Sequence, residues 1–397
     1  AQAASLHKGE DTNMWSRRAL IKSIAGGTVA ATALGAGGFT AAAWASDDML
    51  PFRKGASPLK LHFNENSAGM SPHAITAAKE AVAHEHNRYP DQVIRSLREA
   101  IAAKEGVTPA SVVLGSGSTE ILYMTVGACK QQGATIIDTT PTFGEVRNFG
   151  TRLGMPVKLV PVRSNFTTDL DAMKAAANAV NGPVLINLCN PNNPTGTIIP
   201  EADLAGWISE APENHTFLID EAYFDYATAE TAEYGSMLPL VKAGRDNLII
   251  SRTFSKVHGM AGLRVGYAIA TESTAKLIGG FTNMVNLSAV GAAAATASLK
   301  DTAFYEASLK ANKKAKALLL NSLAELELGH IPSSTNFVLH RINSKVADYQ
   351  KHMKKNGILV GRRMTKEDGW NRISLGTPDE VIQFTQTLKA FRKRGWV

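Results

Sequence analysis

The 397-residue chain contains only two cysteines, Cys129 and Cys189. Two isolated thiols supply neither a disulfide framework nor the paired spacing of a zinc site, so no metal is expected. Cys129 ends an apolar helical pattern and Cys189 ends a strand-like run, and both read as small buried hydrophobes. Also missing is any long basic run with interleaved aromatics. The formal charge of +7 is mild for this length, and part of it sits in the first 45 residues. A nucleic-acid partner is therefore not expected, while a modestly basic surface suits anionic small molecules. No repeat or low-complexity segment follows residue 45. The chain is long enough to bury a large core.

The first 45 residues stand apart. "SRRALIK" (16–22) is followed by the weakly apolar, Gly/Ala-rich stretch Ser23–Ala43 and by "AWAS". A basic start, an apolar middle and small residues before a cut form the layout of an export signal, with Ser46 the first mature residue. The paired arginines resemble a twin-arginine signal, which implies export to the periplasm and only transient membrane contact. The many glycines and alanines make this stretch a poor permanent anchor.

From residue 46 the pattern is one of short apolar strands separated by helices. "VVLG" (112–115), "TIIDT" (135–139), "VKLV" (157–160), "PVLINL" (183–188), "TFLID" (216–220), "NLIIS" (247–251) and "VGYAIA" (265–270) are the strands. Continuously apolar strands alternating with helices predict a mainly parallel sheet covered on both faces, an α/β fold. Ser71 and Pro72 predict a helix start. A helical zone over about 290–326 precedes a smaller α+β unit built on "NFVLH", "GILVG" and "NRISL".

Ligands of open parallel sheets sit at the carboxyl ends of the strands, and four polar groups follow such ends here. "GSGSTE" (115–120) opens a helix, whose free N–H groups favour a phosphate. "CNPNNPTG" (189–196) puts two asparagines beside a buried strand end. Asp220 ends a strand, and a carboxylate there needs a donor or a cation. "SRTFSKVHGMAGLRVGY" (251–267) carries Lys256 and Arg264. Pyridoxal 5'-phosphate accounts for all four, because it offers an aldehyde, a ring nitrogen, a phenolate and a phosphate.

"PNNPTG", "DEAYFDY", "RTFSKVHGMAGLRVGY", "NRYPD" and "NRISLGT" together resemble the class I/II aminotransferases of PLP fold type I, and most closely the histidinol-phosphate aminotransferase family. The resemblance runs from about Leu61 to the C-terminus. It implies a large domain over 76–290 with a mainly parallel, mixed seven-stranded sheet. An arm over 46–75 joins a small α+β domain over 291–397. By the same resemblance Lys256 holds the cofactor covalently and later acts as base. Asp220 faces the ring nitrogen, and Asn193 and Tyr223 face the phenolate oxygen. Arg264, Thr253, Ser255 and the backbone of Gly117, Ser118 and Thr119 take the phosphate, and Phe143 stacks on the ring. Tyr89 reaches the phosphate of a neighbouring subunit, which implies a homodimer. Arg372 grips the substrate's anionic group, where a guanidinium fork suits a carboxylate or phosphate.

The implied reaction is a ping-pong transfer of an amino group between an amine and a 2-keto acid. "NENSAGMSP" and "GILVGRRM" depart from the family's usual pattern on segments expected near the substrate. The expected donor is thus an amino acid, aromatic or otherwise bulky, with 2-oxoglutarate or another keto acid as acceptor. The alternative is another reaction on the same fold, an amino-acid decarboxylase of the threonine-phosphate type or a β-lyase. A catalytically idle binding protein is disfavoured by the intact lysine and aspartate.

Overall fold

The apolar runs become strands because both faces of the sheet they form are covered. The computed structural model describes residues 49–50, 53–283 and 285–397; the expected export segment over 1–45 lies outside them. The strands are β1 (Leu59–Leu61), β2 (Val112–Gly115), β3 (Thr135–Thr140), β4 (Val157–Pro161), β5 (Val184–Cys189), β6 (His215–Asp220), β7 (Leu248–Thr253), β8 (Gly266–Ile269), β9 (Phe337–Arg341), β10 (Ile358–Val360) and β11 (Trp370–Ser374). Seven of them form one sheet in the order β2-β8-β7-β6-β5-β3-β4. Every residue of β5 and β7 is buried. Successive side chains point to opposite faces. Ile186, Phe217 and Ile250 accordingly join one apolar cluster, and Leu185, Leu218 and Ile249 another. Each such side chain contributes about 1.5–3 kcal/mol through burial.

One strand runs against the rest. β8 is antiparallel to both β7 and β2, whereas β3, β4, β5, β6 and β7 pair in parallel. The reversal matters for the site. The start of β8, at Gly266, lies opposite Thr253 and Gly115, which are the carboxyl ends of β7 and β2. Arg264 therefore reaches the same sheet edge as residues that follow the parallel strands.

The helices begin where side chains can satisfy their free N–H groups. The Ser71 hydroxyl accepts from Ala74 N at 3.0 Å, with Pro72 in the first turn. The expected helical zone over 290–326 is two helices, Ala289–Lys300 and Thr302–Glu325. Asp301 divides them, because its carboxylate accepts from Phe304 N at 3.1 Å and caps the second. The helix Pro378–Lys393 opens with a capping box between Thr377 and Glu380. Beside the sheet, β1 pairs in parallel with β10, and β9 pairs with β11 in antiparallel fashion. A separate apolar cluster around Leu61, Tyr349, Ile358 and Phe384 packs under them. Among the described residues no helix is long and apolar enough to cross a membrane.

Candidate active site

A cavity of about 1520 Å³ opens at the carboxyl edge of the sheet. Most of the residues singled out in the sequence line it, each placed by a strand end.

The first corner is the start of the helix Ser118–Gln131. Gly117 precedes it with φ 74°, a left-handed conformation that favours glycine, and no side chain caps the helix. A Cβ on Gly117 would lie 2.1 Å from Arg264 Nη2, so the guanidinium sits directly over the helix entry. A Cβ on Gly266 would lie 2.3 Å from Ser118 N. Arg264 donates through Nη1 to Ser255 Oγ (3.4 Å) and to Ala261 O (3.1 Å), and through Nη2 to Ser116 O (3.4 Å). Thr253 Oγ1 donates to Ser255 Oγ at 2.9 Å. Uncapped N–H groups, two hydroxyls and a guanidinium converge here, the donor set that a phosphate requires.

The second corner holds Lys256, half-buried on the loop after β7. Its Nζ donates to Asn64 O (3.2 Å) and Phe63 O (3.4 Å) and lies 5.4 Å from the centroid of the Tyr223 ring. Loss of hydration, then the nearby Arg372 charge, lower its pKa to about 8, against the opposing pull of Asp220. An amine poised there exchanges protons readily near neutral pH. Asp220, at the end of β6, is 3% exposed. Burial raises its pKa to about 6, although Ala222 N donates to Oδ1 at 3.2 Å.

The third corner is a chain of amides and one arginine. Tyr223 Oη accepts from Asn64 Nδ2 (2.9 Å) and Asn193 Nδ2 (3.4 Å). Burial pushes its phenol well above the ordinary range. Asn193 Oδ1 accepts from Arg372 Nη1 at 2.6 Å, and His62 O accepts from Arg372 Nη2 at 2.7 Å. Arg372 is 6% exposed, and its Nε has no hydrogen-bond partner among the described residues. Arg372 lines the cavity, and a buried guanidinium there is suited to an anionic ligand.

Two residues fall elsewhere. Tyr89 is 83% exposed and does not line this chain's cavity. Asn192, the other asparagine of "PNNPTG", holds a neighbouring loop: it donates to Pro141 O (3.0 Å) and accepts from Thr142 Oγ1 (2.6 Å). Phe143, carried by that loop, lines the cavity. Both cysteines are buried, and burial pushes the Cys129 thiol up to about 12. Among the described residues no cluster of potential metal ligands exists.

Sequence reading missed Asn64 as a site residue. It follows β1, a strand of three residues too short to show a period, and it adopts φ 55°. Also missed were Arg147 and Arg163, which line the cavity with Arg362 and Arg363. The last two belong to the arginine pair of "GILVGRRM".

Behind the site, Arg252 bonds to Glu221 through Nε (2.9 Å) and to Glu105 through Nη1 (2.8 Å), all three buried. Glu221 adjoins Asp220 and Arg252 adjoins Thr253, so this ion network ties together the two strand ends that carry the site.

The seven-stranded sheet, the helix-entry phosphate cup and the lysine facing a buried carboxylate define a pyridoxal-phosphate enzyme of fold type I. The family model for aminotransferase class I and II matches residues 56–388, and the chain belongs to that family. It is 36% identical over 332 residues to the histidinol-phosphate aminotransferase of Moorella thermoacetica, covering 83% of this chain and 84% of the relative. A solved structure from Erwinia carotovora atroseptica, provisionally assigned as a histidinol-phosphate aminotransferase, superposes with a TM-score of 0.83. It shares 38% identity over 86% of this chain and 97% of its own. The histidinol-phosphate aminotransferase of Sinorhizobium meliloti, solved with pyridoxal-5'-phosphate, has a TM-score of 0.78 and 25% identity, covering 85% of this chain and 91% of its own. The chain is therefore a PLP-dependent aminotransferase. The decarboxylase and lyase alternatives are not favoured by these relatives.

Proposed function

We propose that this aminotransferase takes its amino group from an amine bearing an anionic substituent, held by Arg372, and passes it to a 2-keto acid. The observation that carries this reading is the buried Arg372 guanidinium, which lines the cavity and is tied through Asn193 to Tyr223. Bound pyridoxal phosphate supplies a ring that withdraws electrons from the reacting carbon. The remaining work falls to side chains. Gly117, Ser118 and Thr119 backbone N–H groups, with Thr253, Ser255 and Arg264, hold the phosphate. Asp220 would keep the ring nitrogen protonated, Tyr223 and Asn193 would face the phenolate oxygen, and Phe143 would cover one ring face. Lys256 would tether the cofactor, and its Nζ would then serve as the base that moves the substrate's Cα proton.

The sequence points to a bulky amino acid as donor, and the arginines lining the cavity favour donors with a further negative charge. A screen of single half-reactions separates these, following the cofactor's visible band as it converts to the amine form across aromatic, dicarboxylic, phosphorylated and uncharged amines. Arg372→Lys should lower kcat/KM for anionic donors by about 10- to 100-fold, the cost of losing a hydrogen bond to a charged group. Uncharged donors should change little. Equal losses for both classes would remove Arg372 from the substrate site.

Exposed Tyr89 fits the role of a donor to the phosphate of a second copy. In sedimentation the active enzyme should run as a dimer, with Tyr89→Phe binding the cofactor more weakly. Activity in a monomeric species would rule out this shared site.

A further inference from the structure

The loop Pro141–Gly144, which presents Phe143 to the cavity, is braced by two charged residues, Asp138 and Arg147, of which Arg147 also lines the cavity. Asp138 lies on β3, 0% exposed, with its Oδ1 accepting from Asn187 Nδ2 at 2.8 Å. Its Oδ2 faces Arg147 Nη1 at 3.4 Å. Arg147 belongs to the helix Glu145–Arg152, which begins directly after the loop. The ion pair thus spans the loop from the strand before it to the helix after it. The guanidinium also lies flat on Gly144, where a Cβ would meet Nη2 at 2.9 Å. That helix is itself anchored: Tyr123 Oη donates to Glu145 Oε2 at 2.5 Å, and the Tyr123 and Phe149 rings stack at 4.2 Å. Tyr123 belongs to the helix that starts at the phosphate cup. On the opposite flank, Asn192 grips Pro141 and Thr142.

A buried carboxylate needs a partner, and Asp138 could have been an apolar residue in a sheet centre. The only cation bonded to it among the described residues comes from the far side of the loop. We propose that Arg147 and Asp138 form a clasp that sets the height and tilt of Phe143 over the cavity, making both of them positioning residues for the transamination. The inference rests on the assignment of Phe143 to the ring face.

The test is a double-mutant cycle on holoenzyme, with Phe143→Leu, Arg147→Met and the pair. Readouts are kcat, KM and the circular dichroism of the cofactor's visible band. Arg147→Met is expected to lower kcat by about 10- to 100-fold, the scale of an ångström-sized misplacement. It should shift the visible dichroism in the same direction as Phe143→Leu. The double variant should be no worse than Phe143→Leu alone, because the clasp acts through the ring. Arg147→Lys, which keeps a cation for Asp138, should recover part of kcat, and it serves in place of Arg147→Met should that variant not fold. Losses that multiply, or an Arg147→Met dichroism identical to wild type with an altered kcat, would overturn the clasp. Wild-type dichroism and kcat in Phe143→Leu would instead overturn the ring-face assignment on which it rests.

Discussion

Lys256→Ala should leave a folded protein without transaminase activity, a fall of about 10⁶-fold, the scale seen when a nucleophile is removed from a catalytic unit. On the proposed scheme two roles would vanish together: the amine that tethers the cofactor and the base that moves the Cα proton. Arg264 and Arg372, which also line the cavity, carry guanidiniums and not primary amines. Lys256, by contrast, is held near pH 8 by its surroundings. The variant should still bind pyridoxal phosphate through the cup at Gly117 and Arg264, but with the spectrum of the free aldehyde. The measurement is turnover alongside the visible absorption of the purified, cofactor-saturated variant. Retained turnover, or an unchanged visible band, would contradict the assignment.

Asp220→Ala is expected to cost about 10²–10³-fold in kcat, the range typical of removing one preorganised electrostatic group. The physical reason is burial. At 3% exposure the carboxylate is costly as an anion, and its pKa stands raised to about 6. On the proposed scheme a protonated ring nitrogen beside it would offset that cost, and the carboxylate in turn would hold the ring proton. The network behind it, Arg252 with Glu221 and Glu105, gives Asp220 little freedom to move away. A cofactor analogue methylated on the ring nitrogen carries its positive charge permanently. Reconstituting Asp220→Ala with that analogue should recover a large part of the lost rate. Absence of any recovery, with the analogue demonstrably bound, would mean that Asp220 does something other than maintain the ring cation.

What the sequence revealed followed from burial. The central sheet strands were legible because both faces are covered, which writes them as apolar runs such as "LINL", whereas the edge strand β4, "VKLVP", is mostly exposed. Their termini pointed to the site because ligands collect at carboxyl ends, so Gly117, Asn193, Asp220 and Lys256 stood out. Strand direction was not legible. "GYAI" is apolar whichever way it runs, and only the structure shows that β8 is reversed and delivers Arg264 to the shared edge. β1 was missed because three residues carry no period, and Asn64 was missed with it. The division at Asp301 escaped because the helical pattern continues on both sides, while one carboxylate accepting Phe304 N starts a new helix. Pairings made only in three dimensions could not be read at all. Asp138 with Arg147 and Asn192 with Pro141 are of this kind, and both secure the loop that bears Phe143.

The most direct test of the whole account is chemical trapping. The purified holoenzyme is treated with sodium borohydride, digested and mapped by mass spectrometry. The account predicts a single pyridoxyl-phosphate adduct on the peptide containing Lys256, with the visible band abolished. An adduct on a different lysine, or none at all from protein that carries the cofactor, would contradict it.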